Sequence, residues 1–488
     1  MTLEKRTINA GKWSAVSAVG LVFLQLSQVY ILSRLLTADD FGLYALVMIV
    51  IQVVCQFSNM GIGSAVIQRQ DATDDELSSL YWLNVIFGCS FALLILAVAY
   101  PVALFFDDLR LFPLLLWASM GVAVPAVGQQ FQYLLQKALE FRSLAIVELF
   151  SSSLGVAASI YFAMIGHGVF AFVYGMLVNQ SLRAVLLLWA GLRLHRPSLH
   201  FSFADLKGYL RFGAFLSAQN IVNILTARVD SIIIGRLLGP SALGVYFFAQ
   251  QFTSQVFIRI IPIVSRVAFP VFSKLQNDPA RMEEGYLRMV QALAIIIFPI
   301  LVGLGLVVDE LLEVFFVPEW SSAAGIIQIM VFVMMFKTVI APIGTVLLAR
   351  ARTDVGFYMN VYMLIQLPLF VVFGAAFGIM GVAWSLLCST VISFIVWLVV
   401  QSRVVSIDVI KMCRLLILPA AGVFLMALSV FGVRSIMLAN NFNGGVALFA
   451  YIVSGAVTYL LIIWRYRPEW LNVFLINLLD RKVLCQDS

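Results

Sequence analysis

Residues 31–50, ILSRLLTADDFGLYALVMIV, align without gaps on residues 233–252, IIGRLLGPSALGVYFFAQQF. The identical positions include an arginine, a glycine and a tyrosine, in the pairs Arg34 and Arg236, Gly42 and Gly244, and Tyr44 and Tyr246. The offset of 202 residues places the first apolar run of the chain on the seventh, and the second on the eighth. Six runs separate the partners, so both copies cross a membrane in the same direction. This is a parallel repeat about an axis along the bilayer normal.

The composition is that of a membrane protein. Hydrophobic residues make up 62% of the chain and charged residues 11%, whereas a soluble domain has about 25% charged residues. Apolar runs recur at the length that crosses the hydrocarbon core. We predict an all-α polytopic membrane protein with about fourteen transmembrane helices, as two parallel six-helix bundles around a central cavity plus two C-terminal helices. The predicted bundles are residues 1–200 and 201–403, followed by the last two helices and the tail at 404–488.

The distribution of basic residues predicts the orientation. With a cytoplasmic N-terminus, the inner loops and tails hold 22 of the lysines and arginines and the outer loops hold four. Such an excess is typical of cytoplasmic loops, so both termini are predicted to be cytoplasmic. The same rule accounts for the net charge of +6 without nucleic acid as a partner. The basic stretch 193–211 is expected to touch anionic lipid headgroups.

No pattern of a catalytic or metal site is present in the sequence. The cysteines form no CxxC pair, and the three histidines are dispersed, so neither a disulfide framework nor a zinc site is predicted. No His/Asp or Cys/His constellation is apparent. We therefore predict a protein that is not an enzyme and uses no cofactor.

Several ionisable residues fall inside the predicted spans. A charge at the centre of a spanning helix costs about 2.5–3.5 kcal/mol, so a chain that keeps several is expected to use them. They are Glu148, Arg183, Arg228, Asp230, Arg259, Arg266 and Lys337. Arg34 and Arg236 lie at outer span ends and are equally compatible with structural anchoring and substrate contact.

Helical spacing gathers uncharged polar residues into stripes on particular spans. The stripes comprise Gln25 and Gln28 on span 1, Gln52, Gln56 and Asn59 on span 2, Gln219 and Asn223 on span 7, and Gln255 on span 8. Span 4 adds Gln129, Gln132 and Gln136, and span 6 adds Asn179 beside Arg183. The repeat superposes Gln28 on Asp230, which favours a shared cavity lining. For any single amide, hydrogen bonding between helices is the alternative.

The sign of the buried charges indicates the cargo. The cations Arg259, Arg266, Lys337, Arg228 and Arg183 outnumber the two carboxylates, which favours an anionic substrate such as a phosphate or pyrophosphate. The amide stripes suit the hydroxyl groups of sugars. Prolines inside several spans, among them Pro125, provide kinks for helix bending.

Five motifs give the chain a family resemblance: GKWSA at 11–15, SAVIQR at 64–69, ELSSLYWLNV at 76–85, GQQFQYLLQKALEF at 128–141 and LHFSFADLKGYLRFGAF at 199–215. With the span count, they resemble bacterial polysaccharide exporters of the colanic acid type, within the multidrug/oligosaccharidyl-lipid/polysaccharide flippase superfamily. The resemblance implies transfer of undecaprenyl-pyrophosphate-linked oligosaccharide repeat units from the cytoplasmic to the periplasmic leaflet of the bacterial inner membrane. It also implies partnership with polymerase and export proteins.

The same resemblance suggests coupling to a proton or sodium gradient. Asp230 is the leading candidate carboxylate. Glu148 is the second candidate, although its position near the inner end of span 5 suggests an interfacial location.

Three other functions remain as alternatives. A peptidoglycan-precursor flippase would share the pyrophosphate carrier, and a cation-coupled multidrug antiporter would need acidic groups in its cavity. A membrane polysaccharide polymerase, ligase or acyltransferase would need catalytic groups on a sizeable outer loop or in a buried motif.

Overall fold

A computed structural model describes residues 3–58, 66, 73–276, 278–350, 352–405, 407–440, 442 and 444–466. Within these ranges, the side chains of 3–10, 15, 56–58, 204–205, 207–221, 256, 263, 266–267 and 353 lie outside the description. The described residues form helices and connecting turns, with no strand among them. The predicted all-α fold is therefore confirmed.

The helices in the first half of the chain are α1 Leu3–Leu32, α2 Ala38–Ser58, α3 Asp74–Phe105, α4 Leu111–Lys137, α5 Phe141–Met164, α6 Phe170–Gly191, α7 Phe203–Leu237 and α8 Gly239–Lys274. The second half contains α9 Pro279–Phe315, α10 Ala323–Ile340, α11 Ile343–Ala349, α12 Thr353–Ala375, α13 Gly378–Val400, α14 Val409–Ala439 and α15 Gly444–Tyr466. A 3₁₀ turn at Pro318–Ser322 precedes α10, and a π-helical turn at Gln401–Val405 follows α13.

The described helices include 12 segments that are long and apolar enough to cross a membrane. The short α11 continues α10 within one such segment, Pro318–Ala349. Beyond these segments, α7 has 35 residues and α8 has 36, which is ample length for a span. The helices therefore agree with the predicted number of about fourteen spans.

Polar caps mark where some of the helices begin. Thr37 accepts a hydrogen bond from the backbone N–H of Asp40 (3.3 Å), whose carboxylate accepts one from the Thr37 backbone (3.1 Å) at the start of α2. Thr73 and Glu76 form the same reciprocal pair at the start of α3. Such boxes satisfy backbone donors that the first helical turn leaves without partners.

The chain divides into two compact units, of which unit 1 comprises Met1–Gln251 and Phe357–Val382. In this unit α3 packs on α4, α4 and α5 pack on α6, α1 packs on α5, and α2 packs on α7. A cluster of buried apolar side chains, including Leu80, Phe131 and Leu187, joins α3, α4 and α6. The division predicted from the repeat, at residues 200 and 403, stays a prediction.

The repeated segments meet in unit 1 at a reciprocal contact between α2 and the start of α8. A Cβ added to Gly42 would lie 1.8 Å from the carbonyl oxygen of Pro240, and one added to Gly244 would lie 1.7 Å from that of Ala38. The repeat offset carries Ala38 onto Pro240 and Gly42 onto Gly244, so each contact is the mate of the other. Only glycine permits this approach of two backbones. The contact is what two parallel repeats related by a pseudo-twofold axis predict.

Unit 2 comprises Phe252–Gly356 and Ala383–Ser488. Its central helix is α9, against which α10, α14 and α15 pack. The last two helices bury Val430, Leu448 and Tyr451 against Val307 of α9. Arg434 on α14 forms an ion pair with Glu310 on α9 at 2.8 Å. The final helix pair, which lies outside the sequence repeat, is thus fixed to α9 by both apolar and charged contacts.

Candidate functional site

A cavity of about 300 Å³ lies within unit 1 between α2, α4 and α6. Its polar lining consists of the amides Gln129, Gln132 and Gln180 together with Arg183. The remaining walls are mainly apolar and are formed by Met48, Ile51, Cys55, Gly121, Val122, Pro125, Met176, Ala184 and Leu187. We refer to this space as the amide cavity.

Helical spacing turns one face of each helix towards the amide cavity. On α6 the lining positions Met176, Gln180, Arg183 and Leu187 recur every three or four residues, which is one face of a helix. On α4 the same face carries Pro125. Because proline has no N–H, the carbonyl four residues earlier, at Gly121, lacks its usual helical donor. The proline therefore leaves an extra hydrogen-bond acceptor on a residue that lines the cavity.

Arg183 is held in place by two neighbouring helices. Its Nη2 donates to Gln132 Oε1 on α4 (3.1 Å) and lies 3.5 Å from Glu148 Oε1 on α5. Both charged side chains are about one-third exposed, at 31% and 30%. An ion pair of this exposure contributes little stability, but it fixes the guanidinium group at the cavity wall. Glu148, expected near the interface, is therefore brought into contact with a site residue.

Other predicted amides bridge helices of unit 1. Gln25 donates to Gln251 (2.9 Å), which joins α1 to α8, and Gln28 donates to Ser159 on α5 (3.0 Å). Asn223 is exposed on α7. For Gln25 and Gln28, the hydrogen bonding between helices that the sequence left open as an alternative does occur.

Arg228 and Asp230 make separate contacts, as their spacing on α7 predicts. Arg228 Nε donates to Gln52 Oε1 on α2 at 2.8 Å. The Asp230 side chain is buried, and its Oδ1 accepts from the backbone N–H (2.6 Å) and hydroxyl (3.2 Å) of Ser231. Its Oδ2 accepts from the Tyr246 hydroxyl on α8 at 2.5 Å. Asp230 therefore has hydrogen-bond donors on both carboxylate oxygens.

The predicted site residues of unit 2 lie on α8 and α10. The Nε atom of Arg259 is buried and has no hydrogen-bond partner in the described part of the chain. Gln255, one turn earlier, is buried, whereas Lys337 on α10 is exposed. Burying an N–H of a guanidinium group without an acceptor costs free energy. The Nε of Arg259 is therefore a candidate donor to a bound substrate. Asn59 lies outside the described residues, as do the side chains of Gln56, Gln219 and Arg266.

One expectation from the sequence is wrong, because a His/Asp constellation does exist. His195 Nδ1 lies 3.3 Å from Asp74 Oδ1, and His195 Nε2 lies 3.4 Å from Ser78 Oγ. The arrangement of Asp74, His195 and Ser78 resembles a catalytic triad. However, Ser78 is only 1% exposed, and its hydroxyl donates to the Asp74 carbonyl (2.8 Å). The same oxygen accepts from the backbone N–H of Ser198 at 3.1 Å. These contacts tie the 192–202 connection to the start of α3 and keep the Ser78 hydroxyl buried.

Sequence reasoning also missed Gln180 and Cys55 as cavity residues. Gln180 lies three residues before Arg183, so helical spacing from that charge would have identified it. Cys55 lies three residues after Gln52, but a lone apolar-facing thiol carries no signal of its own.

The fold and the site define a multi-pass α-helical membrane protein with a polar cavity inside its spans. Residues 31–325 match the family described as "Polysaccharide biosynthesis protein". The lipopolysaccharide biosynthesis protein WzxC of Escherichia coli (strain K12) is 32% identical over 396 residues, which cover 81% of this chain and 80% of that protein. The teichuronic acid biosynthesis protein TuaB of Bacillus subtilis (strain 168) is 31% identical over 473 residues, covering 96% and 97%.

The chain belongs to this polysaccharide biosynthesis family, and the resemblance found in its motifs is confirmed. A solved structure of the lipid II flippase MurJ, in an inward closed conformation, is similar with a TM-score of 0.73 and 14% identity. The similarity covers 93% of this chain and 98% of that one and shows a shared fold.

Proposed function

We propose that the protein is a flippase for lipid-linked oligosaccharide repeat units of an exopolysaccharide. The observation that carries this proposal is membership of the polysaccharide biosynthesis family, with similarity over almost the whole chain to a teichuronic acid biosynthesis protein, on the fold of a lipid II flippase. The carrier is undecaprenyl pyrophosphate, and the movement runs from the cytoplasmic to the periplasmic leaflet by alternating access.

Arg259 supports an anionic carrier as the group that is recognised. Its buried Nε has no acceptor within the described residues, and a pyrophosphate oxygen would supply one through a charge-assisted hydrogen bond. Arg228, whose Nε is engaged by Gln52, keeps further N–H groups on its terminal nitrogens. We assign pyrophosphate binding to Arg259, and Arg228, Arg266 and Lys337 are further candidate cations for the carrier.

Asp230 is the stronger candidate for coupling transport to a proton or sodium gradient. Its carboxylate is buried and links α7 to α8 through Tyr246. Proton binding would neutralise this carboxylate and weaken its hydrogen bonds to Tyr246 and Ser231, which would loosen the contact between the two helices. Glu148, which is partly exposed and paired with Arg183, is the second candidate.

We place the protein in the bacterial inner membrane, and the positive-inside distribution supports an orientation with both termini in the cytoplasm. Polymerase and export proteins would then receive the oligosaccharide on the periplasmic side. The protein itself would act as a transporter, not as an enzyme, because it supplies a path and no bond needs to be broken.

Deletion of the gene tests the function directly. Lipid-linked repeat units should accumulate on the cytoplasmic face and remain inaccessible to reagents added from the periplasmic side. Normal arrival at the outer leaflet, with a change only in polymer length, would instead favour a polymerase.

A further inference from the structure

Two polar groups of the amide cavity have unused hydrogen-bonding capacity. The Gln180 side chain lines the cavity and makes no hydrogen bond within the described part of the protein. Arg183 uses only Nη2 for its contacts with Gln132 and Glu148, so its Nε and Nη1 nitrogens are left for a ligand. An amide offers donors and an acceptor, and a guanidinium group offers donors alone.

We infer that the amide cavity binds one sugar ring of the oligosaccharide, apart from its pyrophosphate. Gln180, Gln132 and Arg183 would select that sugar through its hydroxyl groups. The inference rests on the proposed function and adds to it the part of the protein that distinguishes one repeat unit from another.

The charge balance of the cavity favours a sugar over the pyrophosphate. Among the described residues that line the cavity, Arg183 alone is charged, and the Glu148 carboxylate lies 3.5 Å from it. This pairing offsets the positive potential that a doubly charged pyrophosphate would need. Arg259 has no such carboxylate partner among the described residues. The amide cavity therefore suits a sugar better than it suits the pyrophosphate.

The size and walls of the cavity fit a single ring. Its volume of about 300 Å³ corresponds to about ten water molecules, which is the scale of one hydrated sugar residue rather than of a whole repeat unit. Ile51, Val122 and Leu187 form apolar walls against which the C–H face of a ring can pack. A few polar groups on a mainly apolar wall is the usual arrangement of a site that fixes ligand orientation.

A binding experiment with two probes separates sugar recognition from carrier recognition. The full-length protein in lipid nanodiscs is titrated with polyprenyl-pyrophosphate oligosaccharide extracted from a strain lacking the protein, and with the same polyprenyl pyrophosphate without sugars. Gln180→Leu should weaken binding of the oligosaccharide probe about two- to tenfold, the loss expected for one or two hydrogen bonds. Binding of the sugar-free probe should not change.

Two controls accompany these measurements. Gln328→Leu removes an amide from unit 2, where Gln328 donates to Asp309 (3.2 Å), and both affinities should stay at the wild-type values. Arg259→Ala should weaken both probes alike. If Gln180→Leu reduces the yield of folded protein, Gln180→Ser supplies the same test with a smaller side chain.

The outcomes distinguish failure of the sugar site from failure of the proposed flippase function. Suppose that the wild-type protein binds both probes, and that the Gln180 variants either keep both affinities or lose the same affinity for each probe. This result would overturn the sugar site and leave the proposed flippase function standing. Wild-type binding of neither probe would overturn the proposed function and the sugar site with it.

Discussion

Replacing either repeat glycine by alanine should destabilise unit 1. In Gly244→Ala the new methyl group would lie 1.7 Å from the carbonyl oxygen of Ala38, and in Gly42→Ala it would lie 1.8 Å from that of Pro240. Ordinary van der Waals contact begins near 3.4 Å, so α2 and α8 would have to separate by roughly 1.5 Å. The obstructing atoms belong to the backbone and have no rotamer by which to move away.

Overpacking of this kind costs about 1–3 kcal/mol, which at about 2–4 °C per kcal/mol lowers the melting temperature by about 2–12 °C. The assay is thermal unfolding of the purified protein in detergent, followed by loss of its monodisperse chromatographic peak. Gly432→Ala is the matched control: Gly432 lies inside α14, and an added Cβ there would meet no atom within 4 Å. That variant should be neutral or slightly stabilising, because alanine favours a helix. Unchanged melting of both repeat-glycine variants would refute the close backbone crossing.

Four further outcomes are expected. Arg259→Ala should abolish export at normal levels of inserted protein, and Arg259→Lys should restore part of it, both measured as surface polysaccharide. Asp230→Asn should make transport into proteoliposomes insensitive to an imposed proton or sodium gradient. Ser78→Ala should keep the export rate and lose about 1 kcal/mol of stability by thermal melting, since its hydroxyl is a structural partner; loss of export in stable protein would contradict this. Partial burial raises the pKa of Asp108, but hydrogen bonds from Arg110 outweigh this effect and hold the pKa below its ordinary value. The ionised Asp108 carboxylate therefore stabilises the folded protein above about pH 4, and this stabilisation is lost on acidification. Arg110→Gln should therefore flatten the acid side of the stability–pH curve, and an unaltered curve would argue against the pair.

The all-α fold could be predicted from the sequence, because the apolar runs and the repeated segments are visible in it. The match of Gly42 with Gly244 marks the place where the backbones of the two repeated segments approach each other. Apolar length and the placement of lysine and arginine supply the spans and their predicted direction, since both respond to the bilayer and not to tertiary detail.

The side-chain contacts between different helices could not be predicted from the sequence. Glu148 and Arg183 lie 35 residues apart on different helices, and which faces of α5 and α6 meet depends on packing that no local pattern encodes. The hydrogen bond between Asp230 and Tyr246 could not be predicted for the same reason, because it requires the close approach of α7 and α8. The His195 constellation was missed because its members are joined by the fold of the 192–202 connection over the start of α3.

Movement of the lipid-linked oligosaccharide across a membrane by the purified protein is the most direct test. Proteoliposomes would carry the extracted polyprenyl-pyrophosphate oligosaccharide, and a sugar-oxidising reagent outside would report the fraction exposed in the outer leaflet. Wild-type protein should make the whole pool accessible within minutes, while protein-free liposomes and Arg259→Ala proteoliposomes leave about half protected. Equal protection with and without the wild-type protein would contradict the proposal that this chain is a flippase.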